Sequence, residues 1–169
     1  MYITAQILGG FALLCWVMSI FLKEKKDILL TQIVANLIYS VEYSLLNVFQ
    51  VASMNFCSFI RLLIYYLYEK KNKQVSKFIL IIFICIIIII GLVTYNNLFT
   101  FIPTLIAILY AYSFWQSNLL VARIIYIGCA FVWIYYNSIV GAHIGVIGNI
   151  LEIIAGTIAI ISYKKTVLR

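Results

Sequence analysis

Apolar residues run along this chain in blocks of roughly twenty, the length a helix needs to cross about 30 Å of hydrocarbon. The blocks lie near residues 4–22, 28–47, 51–68, 78–95, 99–115, 118–138 and 142–162. Each reads as one membrane span, and the alternation of a barrel strand is absent. The second and third blocks, and the sixth and seventh, are nearly continuous, so their connections are the tightest divisions. The expected fold class is an all-α membrane protein with seven transmembrane helices.

Charge gives the direction of threading. Lys23, Lys25 and Lys26 follow the first block, Lys70, Lys71, Lys73 and Lys77 separate the third from the fourth, and Lys164, Lys165 and Arg169 end the chain. The connections around Asn47 to Val51, Asn96 to Asn97 and Ser138 to Gly141 carry no charge. Every second connection is therefore basic. The positive-inside rule then sets the N-terminus outside and the C-terminus in the cytoplasm. Tyr65, Tyr66 and Tyr68 fall at an expected cytoplasmic edge, where amphipathic rings anchor.

Composition excludes a soluble domain. Hydrophobic residues make up 66% of the chain and charged residues 10%, with a mean hydropathy of +1.12, too little polar surface to cover a core of this size in water. The net charge of +7 is mostly accounted for by the lysines of the basic connections, so no nucleic-acid partner is implied; the partner surface is the bilayer. The first block lacks a basic n-region and reads as a span, not a cleavable signal. Cys15, Cys57, Cys85 and Cys129 all fall inside apolar blocks without a C-x-x-C pair, and read as packing residues.

An internal repeat organises the blocks. Laid over Pro103 to Trp115, the segment Gly9 to Phe21 sets Gly9 on Pro103, Trp16 on Tyr110 and Ser19 on Ser113; further on, Leu29-Leu30 overlies Leu119-Leu120. Spans one to three thus correspond to spans five to seven, as parallel repeats joined by the fourth span. The divisions are 1–69 for the first repeat, 70–97 for the loop and linker helix, and 98–169 for the second repeat with its basic tail. The linker, KFILIIFICIIIIIGLVTY, has almost no small or polar residue with which to grip a neighbour, so it is expected to face lipid.

Against this background the buried polar positions stand out. Arg61 and Glu152 each lie about ten residues into corresponding spans, or about 15 Å deep at 1.5 Å per residue, where an ion is costly and should face protein or water with a partner. Midspan alignment sets them opposite each other. They read either as an interhelical ion pair that holds packing or as a solute or proton site. Glu152 shares a helical face with Gly141, Gly145, Gly148 and Gly156, with Asn149 one turn above; Ser58 is one turn above Arg61. Arg123, Tyr126, Ala130, Trp133 and Asn137 share a face of span six, and Gln32, Asn36, Tyr39 and Tyr43 a face of span two with Glu42 beside them. Arg123 is near enough to the cytoplasmic edge to snorkel. Glu42 has no basic residue nearby and is a second proton or cation candidate. Gly9, Gly10 and Pro103, the only proline, interrupt corresponding spans and read as hinges or as tolerated kinks.

No catalytic constellation is present. His143, the only histidine, and Asp27, the only aspartate, fall on opposite sides of the membrane, and no His/Cys cluster has metal-ligand spacing. Neither a cofactor nor a metal is expected.

The plan of three, one and three spans resembles the SWEET and PnuC transporter superfamily. More closely, Ala5-Gln6 with the glycines after it, Ser58-x-x-Arg61, Pro103 and Trp133-x-x-x-Asn137 resemble the bacterial inner-membrane family called YgjV-like. The resemblance implies two three-helix bundles around a central path, in the inner membrane; the dipeptide of PQ-loop proteins and the tryptophan-rich pocket of PnuC proteins are not recognisable. The expected function is a transporter or facilitator of a polar solute, such as a sugar, vitamin or organic acid, working by alternating access. Arg61, Glu152, Asn149, Trp133, Asn137, Asn36 and Ser58 are the candidate solute-binding residues. The alternative is a structural or accessory membrane protein whose buried charges only hold helices together. The Ile-rich faces leave room for self-association, with no specific interface.

Overall fold

The computed structural model describes residues 2–95, 99, 101–139 and 143–167, with side chains up to 162 except at 137, 143 and 144. Seven helices are described: α1 (Tyr2–Phe21), α2 (Lys25–Leu45), α3 (Phe49–Lys70), α4 (Lys77–Val93), α5 (Phe101–Trp115), α6 (Leu119–Ile139) and α7 (His143–Val167). Five of them are long and apolar enough to cross a membrane, while α4 and α5 are shorter, at 17 and 15 residues. Each overlaps one of the blocks read from the sequence, with ends shifted by up to five residues.

The tight connections have local causes. After α2, Asn47 takes φ 60°, with its N–H on the Ser44 carbonyl at 3.2 Å and the Val48 N–H on that of Tyr43 at 2.9 Å. After α3, Asn72 does the same at φ 51°, with Asn72 on Glu69 and Lys73 on Tyr68. Both are left-handed caps in which the chain reverses while the last carbonyls stay bonded, and asparagine tolerates that backbone better than other side chains with a Cβ. Ser76 begins α4 by accepting from Phe78 N, and Asn118 begins α6 by accepting from Leu120 N and Val121 N.

Sequential helices pack in antiparallel pairs, and two further contacts close the set. α2 lies between α1 and α3, α6 lies between α5 and α7, α1 touches α7, and α3 touches α5. Six helices thus form a closed ring, with α4 wedged between α3 and α5. α4 buries Leu80, Phe83, Ile87 and Gly91 and leaves most of its other residues exposed. It does grip a neighbour, contrary to the reading of its sequence: a Cβ on Gly91 would lie 2.7 Å from Thr104 Cγ2, so the α5 threonine rests on the glycine backbone.

The largest core cluster lies at the lysine-rich ends of the helices. Ile28, Leu29, Leu62, Tyr65, Val75, Phe114, Ala122 and Tyr126 pack there, with Trp16, Tyr110 and Trp115 against them. Tyr65 is 1% exposed and belongs to this core, so it is not an interfacial anchor. One residue of helix turns a side chain by about 100°, enough to separate it from half-buried Tyr66.

Candidate functional site

Arg61 sits in the middle of α3 and is 1% exposed. Its Nη2 reaches Ser58 Oγ, one turn back, at 3.5 Å. Nε and Nη1 have no acceptor among the described residues. Glu152, in α7, is 3% exposed; Asn149 Nδ2 donates to its Oε2 at 3.3 Å, the Trp16 indole is within hydrogen-bonding reach, and Oε1 is without a partner. The two do not pair. Among the described residues the ion pairs are Lys25 with Glu69 at 3.7 Å and Lys26 with Glu24 at 2.9 Å, both at the lysine-rich end. Equal depth in two spans is not contact: Arg61 is turned toward Tyr65 and Tyr126, Glu152 toward Trp16 and Tyr110.

Between them stands an aromatic cluster. Trp16 and Tyr110 have ring centroids 5.3 Å apart, Tyr110 and Tyr126 5.7 Å, Trp16 and Tyr126 6.2 Å, and Phe114 and Tyr126 5.3 Å. Tyr126 lies in the electrostatic range of both Arg61 and Glu152. These rings join α1, α5 and α6 across the ring of helices. Trp16 and Tyr110 are the residues that the sequence superposition set on each other.

Next to the cluster, toward the lysine-rich ends, the helices are tied by polar bonds. Gln32 Nε2 donates to Ser19 Oγ at 2.5 Å, and Ser113 Oγ donates to the Ala122 carbonyl at 3.4 Å. A cleft of about 20 Å³, close to the space of one water, is lined by Ser19, Leu29, Ser113, Leu119 and Arg123 among others. Arg123 does not snorkel. It is 6% exposed and donates to main-chain carbonyls, from Nη1 to Ala159 at 3.2 Å and from Nη2 to Ile20 at 3.5 Å and Leu22 at 3.3 Å. The carbonyls at a helix C-terminus lack intrahelical donors and carry partial negative charge, so a cation on α6 satisfies the end of α1. Lys25, at the start of α2, likewise reaches the Trp115 carbonyl that ends α5, at 3.4 Å.

The remaining expected site residues separate. Asn36 is buried but its Nδ2 bonds the Gln32 carbonyl of its own helix at 2.8 Å. Trp133 meets Tyr136, also in α6, edge-on at 5.4 Å. The side chain of Asn137 lies outside the described residues, as does Gly141. Glu42 packs on α1, where a Cβ at Gly9 would overlap its carboxylate; its Oε2 has no partner. Gly9 and Gly10 lie within an unbroken α1, and Pro103 lies in the first turn of α5, where its missing N–H breaks no helical bond. None interrupts its helix. The glycine stripe of α7 serves two neighbours: a Cβ on Gly148 would meet Leu13 of α1 at 3.1 Å, and one on Gly156 would meet Ile127 of α6 at 3.0 Å.

No curated protein and no solved structure matches the chain. The sequence profile of one family, Imp-YgjV, described as bacterial inner membrane protein, matches residues 3–166. With a match over nearly its whole length and seven helices clad in apolar side chains, the chain belongs to the Imp-YgjV family of bacterial inner membrane proteins.

Proposed function

We propose that this protein is a small transporter or facilitator that moves a polar solute by alternating access between two parallel three-helix repeats, α1–α3 and α5–α7, with α4 as the linker. The observation that carries the reading is Arg61, buried at midspan with Nε and Nη1 lacking acceptors. A structural ion needs its partners in the resting fold, because an unpaired buried charge is strongly destabilising. Arg61 has Ser58 alone within hydrogen-bonding distance among the described residues, which suits a group whose partner arrives from outside. That also weighs against a purely structural role for the two buried charges.

The ring of six helices with α4 outside it supports the repeat. So does the meeting of superposed residues: Trp16 faces Tyr110, and Ser19 with Ser113, and Leu29 with Leu119, line the same cleft. Contacts between equivalent residues are what a pseudo-two-fold axis between parallel repeats produces. With the lysines in the cytoplasm, the N-terminus is outside and the packed aromatic end is an inner gate held shut. Glu152 and Glu42 are the proton or cation candidates, and the chain needs no cofactor.

Reconstitution into proteoliposomes tests the reading. Uptake of a solute should be abolished by Arg61→Gln, and any response to a pH gradient should be lost in Glu152→Gln. Uptake of every carried solute at wild-type rates by both variants refutes the site.

A further inference from the structure

We infer that the solute bound at Arg61 carries one negative charge of the carboxylate type. This rests on the transport reading above and names the chemistry of its solute. A guanidinium stays protonated in proteins and presents five N–H donors. Nε offers one hydrogen and Nη1 two, and none of these finds an acceptor among the described residues. The single bond Arg61 makes among the described residues, to Ser58 Oγ at 3.5 Å, is at the outer limit of hydrogen-bond length.

The groups nearest Arg61 are neutral. They are Cys57, Ser58, Tyr65 and Tyr126, and the Tyr65 hydroxyl is itself buried without a partner. No carboxylate of the described chain lies within ion-pair distance of Arg61. A buried cation with free N–H donors and only neutral neighbours is a site for an acceptor with negative charge, and carboxylates match the guanidinium in geometry and charge. A polyol would leave the positive charge uncompensated in a low dielectric, and an amine would be repelled.

The number of charges follows from what lies around the site. Arg123, the other buried arginine among the described residues, is engaged with the carbonyls of Ile20, Leu22 and Ala159. Glu152, within electrostatic range of the same Tyr126, supplies no second positive charge. One guanidinium thus balances one carboxylate. Because Arg61 is almost fully enclosed, the solute reaches it only when the helices part.

The test varies the solute before the protein. Acetate, lactate and benzoate are compared with acetamide, lactamide and benzamide, and with succinate, inorganic phosphate and glucose, in proteoliposome counterflow and in thermal shifts of the purified wild type. The expected result is that at least one monocarboxylate binds more tightly than its amide by about tenfold or more, as a charge-assisted bond requires. Arg61→Gln should level the acid and the amide, while Arg61→Lys keeps part of the preference. If amides or glucose bind and move as well as the acids, or if the preference survives Arg61→Gln, the charge assignment is overturned and the transport reading stands. Tighter binding of succinate or phosphate overturns the single charge. If no probe of any class moves or stabilises the protein, the transport reading fails and this inference with it. Should Arg61→Gln not fold, the comparison of acid with amide on the wild type decides alone.

Discussion

Arg123 donates to the carbonyl of Leu22 at 3.3 Å, so a cation set in α6 closes the end of α1. Lys25 makes a similar approach from α2 to the carbonyl of Trp115 at the end of α5, at 3.4 Å. The two ties differ in burial: Arg123 is 6% exposed, while Lys25 is partly exposed and shares its ammonium with Glu69. Arg123→Gln should therefore cost about 1–3 kcal/mol, the penalty for stranding buried carbonyls. Lys25→Ala should cost less than about 1 kcal/mol. Thermal unfolding in detergent measures both, and equal losses would show that the Arg123 bonds are not buried ties.

Gly9 and Gly10 are adjacent but face different surroundings. A Cβ on Gly9 would overlap the Glu42 carboxylate, whereas one on Gly10 meets nothing within 4 Å. Gly10→Ala should be neutral or stabilising by up to about 1 kcal/mol, since alanine restricts the unfolded backbone. Gly9→Ala should destabilise by about 1–2 kcal/mol through displacement of the Glu42 side chain. In a Glu42→Ala background that loss should vanish. A double-mutant cycle in which the two substitutions simply add would remove the contact from the account.

Gly91 poses the same question with a stiffer neighbour. Its added Cβ would lie 2.5 Å from Thr104 Oγ1 and 2.7 Å from Thr104 Cγ2, and a β-branched stem close to the backbone has little freedom to retreat. Gly91→Ala should push α4 off α5 and lower the melting temperature more than Gly9→Ala does. Thr104→Ala should restore most of the loss, because it removes both of the nearest atoms. Failure of that rescue would place the strain elsewhere.

Ser19 and Ser113 occupy superposed positions but make unequal bonds. Ser19 accepts from Gln32 at 2.5 Å, and Ser113 donates to the Ala122 carbonyl at 3.4 Å. Gln32 is 1% exposed, so Ser19→Ala strands a buried amide and should cost about 1–3 kcal/mol. Ser113→Ala gives up a long bond and should cost less than about 1 kcal/mol. The order of the two melting temperatures is the check.

Much of the site was legible as positions and little of it as contacts. Arg61 and Glu152 were recognisable because a charge in an apolar block is rare, and both are buried. Equal depth sets the two opposite each other, but depth says nothing about rotation: a helix turns about 100° per residue, and the two side chains face different neighbours. Tyr65 illustrates the same limit, since adjacent tyrosines at a helix end differ in burial by their angle alone. The bonds of Arg123 are not legible in the sequence, because the carbonyls it meets lie at the end of α1 and in α7, more than thirty residues away. Trp16 and Tyr110, superposed in the sequence, meet in the fold, although no pattern around either residue announces an aromatic cluster.

The sequence by itself determined the solvent, the number and extent of the helices, and the alternation of basic and uncharged connections, because each depends on residues adjacent in the chain and on their transfer between water and lipid. Which buried polar groups are satisfied was decided only by the tertiary structure. That outcome depends on rotations of a fraction of a turn between helices far apart in sequence, and it is there that Arg61 lies beside hydroxyls with no carboxylate of the described residues in ion-pair reach.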